Sequence, residues 1–172
     1  MSMAGNITVI EGEDAVRTVL SLQFVYRGST MCGEYGCFIS GTKTLKEIEA
    51  VMVEYGMLSE CLKDSPSIVM LDADNLGKVA IRSGGLPQLE TLVKLVEEIH
   101  KDIEFTRLAV DRFDVLSENG TSNSVEALFT FAREKNVKIL LTVNLEHNFN
   151  FFELCDNYIV VKKGHLPLIL FS

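Results

Sequence analysis

The residues best equipped for chemistry lie between Glu11 and Thr18. A short β-branched run, Ile7–Ile10, gives way through Gly12, Glu13 and Asp14 to an apolar-periodic segment that begins near Ala15. Strand, polar bend and helix in that order make the frame in which a glycine-rich loop closes its backbone N–H groups around phosphate. The working pattern is G-x-x-x-x-G-K-[ST], with the lysine neutralising the bound anion. Aligned on the helix, Thr18 takes the hydroxyl place and Arg17 the lysine place, while Val16 stands where the last glycine belongs and Glu11 where the first does. A β-branched valine resists positive φ and blocks close backbone approach. Glu13 and Asp14 add two carboxylates that would repel a polyphosphate. Arg17 can pair with an anion, but its planar fork does not reproduce the lysine point charge. The loop reads as degenerate.

Other polar residues fall where strands should end. The apolar runs Tyr35–Ser40, Ser67–Leu71, Thr106–Val110 and Val137–Val143 read as strands. Helices are expected from Ala15 to about Tyr26, ended near Gly28; from Thr44 to Gly56; from Gln88 to Lys101; and from Ser124 to Lys135. Thr44 with Glu47 three residues on has the form of a capping box. After Asp72-Ala73-Asp74, the segment through Gly77, Gly84, Gly85 and Pro87 reads as a loop. Near-continuous apolar strands alternating with helices imply a three-layer αβα fold around a mostly parallel sheet. Asn157–Lys162 and His165–Phe171, joined at Lys163-Gly164, are expected to form an antiparallel hairpin at one edge. Ligands of such sheets sit beyond the carboxyl ends of the strands. Those ends carry Glu11 and Gly12, Ser40, Asp72, Asp111, and Thr142 with Asn144. Strand ends face loops and water, so polarity there is also what a site without function would show.

The chain of 172 residues is long enough for a substantial core and is expected to form one domain over residues 1–172. Its formal charge is −8, and no basic cluster exceeds Lys162-Lys163, so nucleic acid and anionic membrane surfaces are not expected partners. No leader pattern and no apolar run of spanning length is seen, which places the expectation in the cytoplasm. Cys32, Cys37, Cys61 and Cys155 form no C-x-x-C pair, and His100, His147 and His165 are dispersed. Neither a zinc site nor a hydrolase triad is called for.

The order of elements resembles the KaiC-like branch of the RecA-type P-loop ATPases. Thr18 to Gly28 is similar to that family's helix after the phosphate loop, and Gly36 to Ser40 to its next strand. Ile68 to Ala73, Arg107 to Asp111 (the Walker B strand), Val137 to Asn144 (the strand that senses the γ-phosphate) and Asp156 to Val161 match in sequence order, from about residue 6 to 163. Carried over residue by residue, the resemblance puts the nucleotide site on Gly12, Arg17, Thr18, Asp111, Thr142 and Asn144. Thr18 and Asp111 would be the Mg²⁺ ligands. The departures are that Arg17 replaces the lysine, Val16 its preceding glycine, and Thr42 and Lys43 the paired glutamates that activate water. Neither Thr42 nor Lys43 is a base at neutral pH. The family's segment ahead of the loop strand and its C-terminal K-x-R-G region are also not found, which suggests a truncated domain.

Phosphoryl transfer depends on positioning and charge, so losing loop, lysine and base together should remove catalysis. The reading is a non-catalytic KaiC-like domain with no catalytic residue and no cofactor, serving as a protein-binding, assembly or regulatory module. Its expected partner is a second copy, an active KaiC/RecA-type relative or another protein, with Phe149, Phe151, Phe152 and Leu168–Phe171 as candidate contacts if exposed; the alternative, preferred for the terminal run, is that they complete this domain's own core. The alternative is a weak Mg-nucleotide-binding protein or low-activity ATPase, in which Arg17 holds a phosphate. A DNA-recombinase paralogue is the third.

Overall fold

The computed structural model describes residues 6–57, 67–82, 84, 88–118, 120–144 and 152–161. The described elements are β1 (Ile7–Gly12), α1 (Asp14–Cys32), β2 (Gly36–Ser40), α2 (Leu45–Glu54), β3 (Ile68–Leu71) and α3 (Ala73–Arg82). There follow α4 (Gln88–Ile103), β4 (Arg107–Asp111), α5 (Phe113–Ser117), α6 (Ser122–Glu134), β5 (Lys138–Asn144), a 3₁₀ turn at Phe152–Leu154, and β6 (Asn157–Val160).

The strands form one sheet in the order β3-β2-β4-β5-β1-β6. Every pairing in it is parallel. Helices α3 to α6 pack Leu76, Leu92, Phe113, Leu128 and Phe129 against Ile7, Val9, Leu108 and Val110 on one face. On the other, α1 and α2 pack Leu22, Phe24, Ile48 and Met52 against Ile10, Phe38, Ala109 and Leu140. Two apolar faces explain the unbroken apolar strands, since a residue pointing either way meets a helix layer. Each fully buried Leu, Ile or Phe contributes about 1.5–3 kcal/mol relative to exposure.

The expected antiparallel edge hairpin is corrected by the sheet. β6 runs parallel to β1, with Thr8 opposite Asn157 and Glu11 opposite Val160. The cause is an anchor at the start of β1. The Asp156 carboxylate accepts from the Asn6 and Ile7 backbone N–H groups, both at 2.8 Å, and the Asp156 N–H donates to the Ile7 carbonyl. The chain therefore enters β6 at the same end at which it enters β1. The second expected hairpin strand, His165–Phe171, lies outside the described residues, as do Phe149, Phe151, Cys61 and the side chain of Phe152.

Two helix boundaries also differ. The first part of the expected loop, through Gly77 to Arg82, is helix α3, opened by the Asp72 carboxylate accepting from Asn75 N at 2.9 Å, while Gly85 and Pro87 lie outside the described residues. The second Asp72 oxygen accepts from Leu45 N at 3.3 Å, so one carboxylate serves the first turns of α2 and α3. Helix α1 does not stop at Gly28 but runs to Cys32 and ends on left-handed Gly33, φ 66°. The Thr44–Glu47 capping box forms as expected, with both reciprocal bonds present. Among the described residues, no helix is long and apolar enough to cross a membrane.

Candidate functional site

The register assembles the polar strand ends. Gly12 lies opposite Asn144, Ile10 opposite Thr142, and Ser40 opposite Asp111. Val110 pairs with Leu141, which brings Asp111 next to Thr142. Helix α1 starts directly beyond β1 and carries Arg17 and Thr18 into the same place.

Glu13 alone separates β1 from α1. It takes an extended conformation, φ −72° and ψ 156°, with no side-chain capping bond. A phosphate cradle needs several consecutive loop residues with inward N–H groups. One residue cannot make that concavity. Gly12 closes β1 as an ordinary strand residue and is not among the glycines of positive φ.

Arg17 lies in the first turn of α1, directly beyond the end of β1. Its side chain is 1% exposed. Nη1 donates to the Gly12 carbonyl at 2.6 Å and to Asn144 Oδ1 at 2.7 Å, while Nη2 donates to Asp14 Oδ1 at 3.1 Å. Nε is buried with no hydrogen-bond partner among the described residues. The other Asp14 oxygen accepts from Lys43 Nζ at 2.8 Å, so this carboxylate bridges two cations. That bond from Lys43, followed by the field of the Lys43 and Arg17 charges, outweighs partial burial and holds the Asp14 carboxyl below the usual range.

Thr18 and Asp111 also meet. The Thr18 hydroxyl donates to Asp111 Oδ2 at 2.9 Å and the Thr142 hydroxyl to Oδ1 at 2.8 Å. Thr142 Oγ1 in turn accepts from the Arg112 N–H at 3.0 Å. Asp111, Thr18 and Thr142 are all buried. Burial pushes the Asp111 carboxyl up, against the pull of the two hydroxyls and the more distant Arg17 and Lys43.

All six residues expected at the site, Gly12, Arg17, Thr18, Asp111, Thr142 and Asn144, are thus brought together. Asp72 is not among them, being committed to helix starts, and Glu11 instead accepts from the Tyr158 hydroxyl. Sequence reasoning missed the roles of Asp14 and Lys43. Asp14 and Arg17 stand three apart on a helix, a spacing at which opposite charges meet, and that signal was available. The Lys43 contact, 29 positions from Asp14, carried no local signal.

The donor set decides whether a magnesium nucleotide fits. Mg²⁺ takes near-octahedral oxygen ligands and keeps several waters. Here both Asp111 oxygens are engaged by hydroxyls in a fully buried setting, and the start of α1 holds a guanidinium tied to three acceptors. The half-exposed Asp14 carboxylate lies beside it. The residues as arranged do not fit that group. A groove of about 780 Å³ between α4 and α6, lined in part by His100, Phe131 and Glu126, includes none of the strand-end residues. Among the described residues no group of His, Cys, Asp and Glu is placed to hold a metal ion. Burial pushes the Cys37 thiol up to about 12, an inert core residue.

The model of the family "ATPase: KaiC" matches residues 3–163. Among solved structures, the fold is similar to that of a KaiC-like protein from the hyperthermophilic archaeon Pyrococcus horikoshii. The TM-score is 0.63 at 19% identity, over 81% of this chain. The chain spans 61% of that protein. Comparison with curated proteins finds no significant match.

Proposed function

The chain belongs to the KaiC family of ATPases, and we propose that it is a member without catalysis, acting as a protein-binding, assembly or regulatory module. The observation that carries this reading is the Arg17 guanidinium, buried where phosphate would lie and bonded to the Gly12 carbonyl, Asn144 and Asp14. The place of the water-activating carboxylates supports it too. By the resemblance that place falls on Thr42 and Lys43, and Lys43 is paired with Asp14. Without loop, lysine or base, the terms that lower the barrier to phosphoryl transfer are missing together.

What remains is a folded RecA-type surface whose shape does not depend on a ligand. Its partner is then a protein: a second copy, or an active relative of the same architecture. The competing reading, a weak nucleotide-binding protein, has the Thr18–Asp111 pair in its favour. It requires Arg17 to leave three acceptors and expose them. Sedimentation analysis of the purified chain, alone and with Mg-ATP, together with phosphate release, tests the proposal. Association unchanged by nucleotide and no phosphate release above buffer are expected. Turnover abolished by Asp111→Asn would overturn it.

A further inference from the structure

The chemistry around Arg17 has a sign. A phosphate site converges donors on an anion. Here the groups that converge are acceptors: a main-chain carbonyl from the end of β1, a side-chain carbonyl from the end of β5, and a carboxylate from the first turn of α1. We propose that the carboxyl end of β1 and β5 is a guanidinium-binding site whose resident ligand is the protein's own Arg17, so that the recognition polarity of the place has been inverted from anion to cation. The inference rests on the reading that nucleotide does not occupy this place.

Geometry and burial support it. The guanidinium is 1% exposed while the Asp14 side chain is 59% exposed, so the cation sits inside and its counter-charge lies at the rim. Two of the acceptors engage Nη1 at 2.6 and 2.7 Å, the short distances of charge-assisted bonds. A planar fork reaching acceptors on three separate elements is what guanidinium supplies and ammonium does not. Lys43 confirms the difference in use: it binds the outer Asp14 oxygen as a point charge and touches neither Gly12 nor Asn144 by hydrogen bond. Arg17 therefore ties β1, β5 and α1 together where a one-residue connection leaves the main chain no means of doing so.

Truncation should leave a cavity that takes a small alkylguanidinium. Arg17→Ala is expected to lower the melting midpoint by roughly 5–10 °C for a domain of this size. Ethylguanidinium at low millimolar concentration, which replaces the two methylenes and the guanidino group that alanine lacks, should restore at least half of that loss. Ethylammonium should restore much less, and wild type should gain nothing from either. Absence of ethylguanidinium rescue, with Mg-ATP also silent on wild type, overturns the guanidinium site and leaves the non-catalytic reading standing. Stabilisation of wild type by Mg-ATP overturns both. Should Arg17→Ala not fold, Asn144→Asp decides within the full chain. A carboxylate placed at the 2.7 Å contact should raise the midpoint by about 1–3 °C, and a fall would refute the inverted polarity.

Discussion

Two arginines are buried at opposite ends of the same sheet, and they are the largest fully buried side chains among the described residues. Arg107 opens β4 at the amino end. Its Nε donates to the Glu34 carboxylate, its Nη1 to the Phe24 carbonyl at 3.2 Å, and its guanidinium lies 5.1 Å from the centre of the Phe24 ring. Arg17 sits at the carboxyl end with a carboxylate, a main-chain carbonyl and an amide oxygen. Both pin α1 to the sheet, one at its first turn and one along its second half. The difference lies in the backbone around them. A Cβ on Gly28 would stand 2.5 Å from Arg107 Cδ and Nε, so a glycine is needed for the arginine to pass the helix. A Cβ on Gly12 would stand 3.7 Å from Arg17 Cγ and 3.5 Å from Val161, an ordinary contact. The place that resembles an active site is thus built in the manner of a core clasp, from a guanidinium and its acceptors.

Breaking the clasp at the amino end should have the largest effect. Arg107→Ala strands Glu34 and opens space under α1, and should cost about 3–5 kcal/mol in urea unfolding. The two glycines separate next. Gly28→Ala should cost about 1–3 kcal/mol through overpacking against Arg107, whereas Gly12→Ala should stay within about 1 kcal/mol in the same assay. Equal costs would mean that the two ends are built alike. Asp111→Asn is expected to leave stability unchanged or raise it by up to about 1 kcal/mol, because an amide keeps partners in Thr18 and Thr142 while removing a buried charge.

The smallest effects are in pH. The folded Asp14 pKa is depressed, chiefly by the Lys43 bond, so its contribution is present above the unfolded value near 3.8 and is lost as pH falls through the folded value. The group is largely exposed, so solvent screening keeps this below about 1 kcal/mol, and added salt should shrink it further. Asp111 has the opposite sign. Its folded pKa is raised by burial, so stability is greatest below 3.8 and declines as pH rises through the folded value. Acid melts of Asp14→Asn and Asp111→Asn should therefore depart from wild type in opposite directions.

Local pattern revealed much of this. The Thr44 capping box, the apolar strands and the approach of Asp111 to Thr142 follow from periodicity or from strand ends in a parallel sheet, while Thr18 joined them through the family resemblance. The misreadings came where one residue type has two uses. Gly28 resembles a helix stop, yet it is clearance for Arg107, which is 79 positions away and invisible to a local reading. Gly77 resembles a loop marker, although a helix tolerates it with nothing within 4 Å of its Cβ position. The direction of β6 depends on Asp156 reaching Asn6 and Ile7 across the chain, a contact without sequence neighbourhood. At the site, Asp14 reads as repelling phosphate. Its i,i+3 spacing signalled the pairing with Arg17, but only the fold brings Gly12 and Asn144 around the same guanidinium.

The most direct measurement is a thermal titration of the wild-type chain with Mg-ATP and Mg-ADP. A site filled at a hundred times its dissociation constant adds about 2.7 kcal/mol, a shift of several degrees for a domain of this size. On the proposal that Arg17 occupies the phosphate place, the midpoint should not move at millimolar nucleotide. A saturable rise of several degrees would contradict the account.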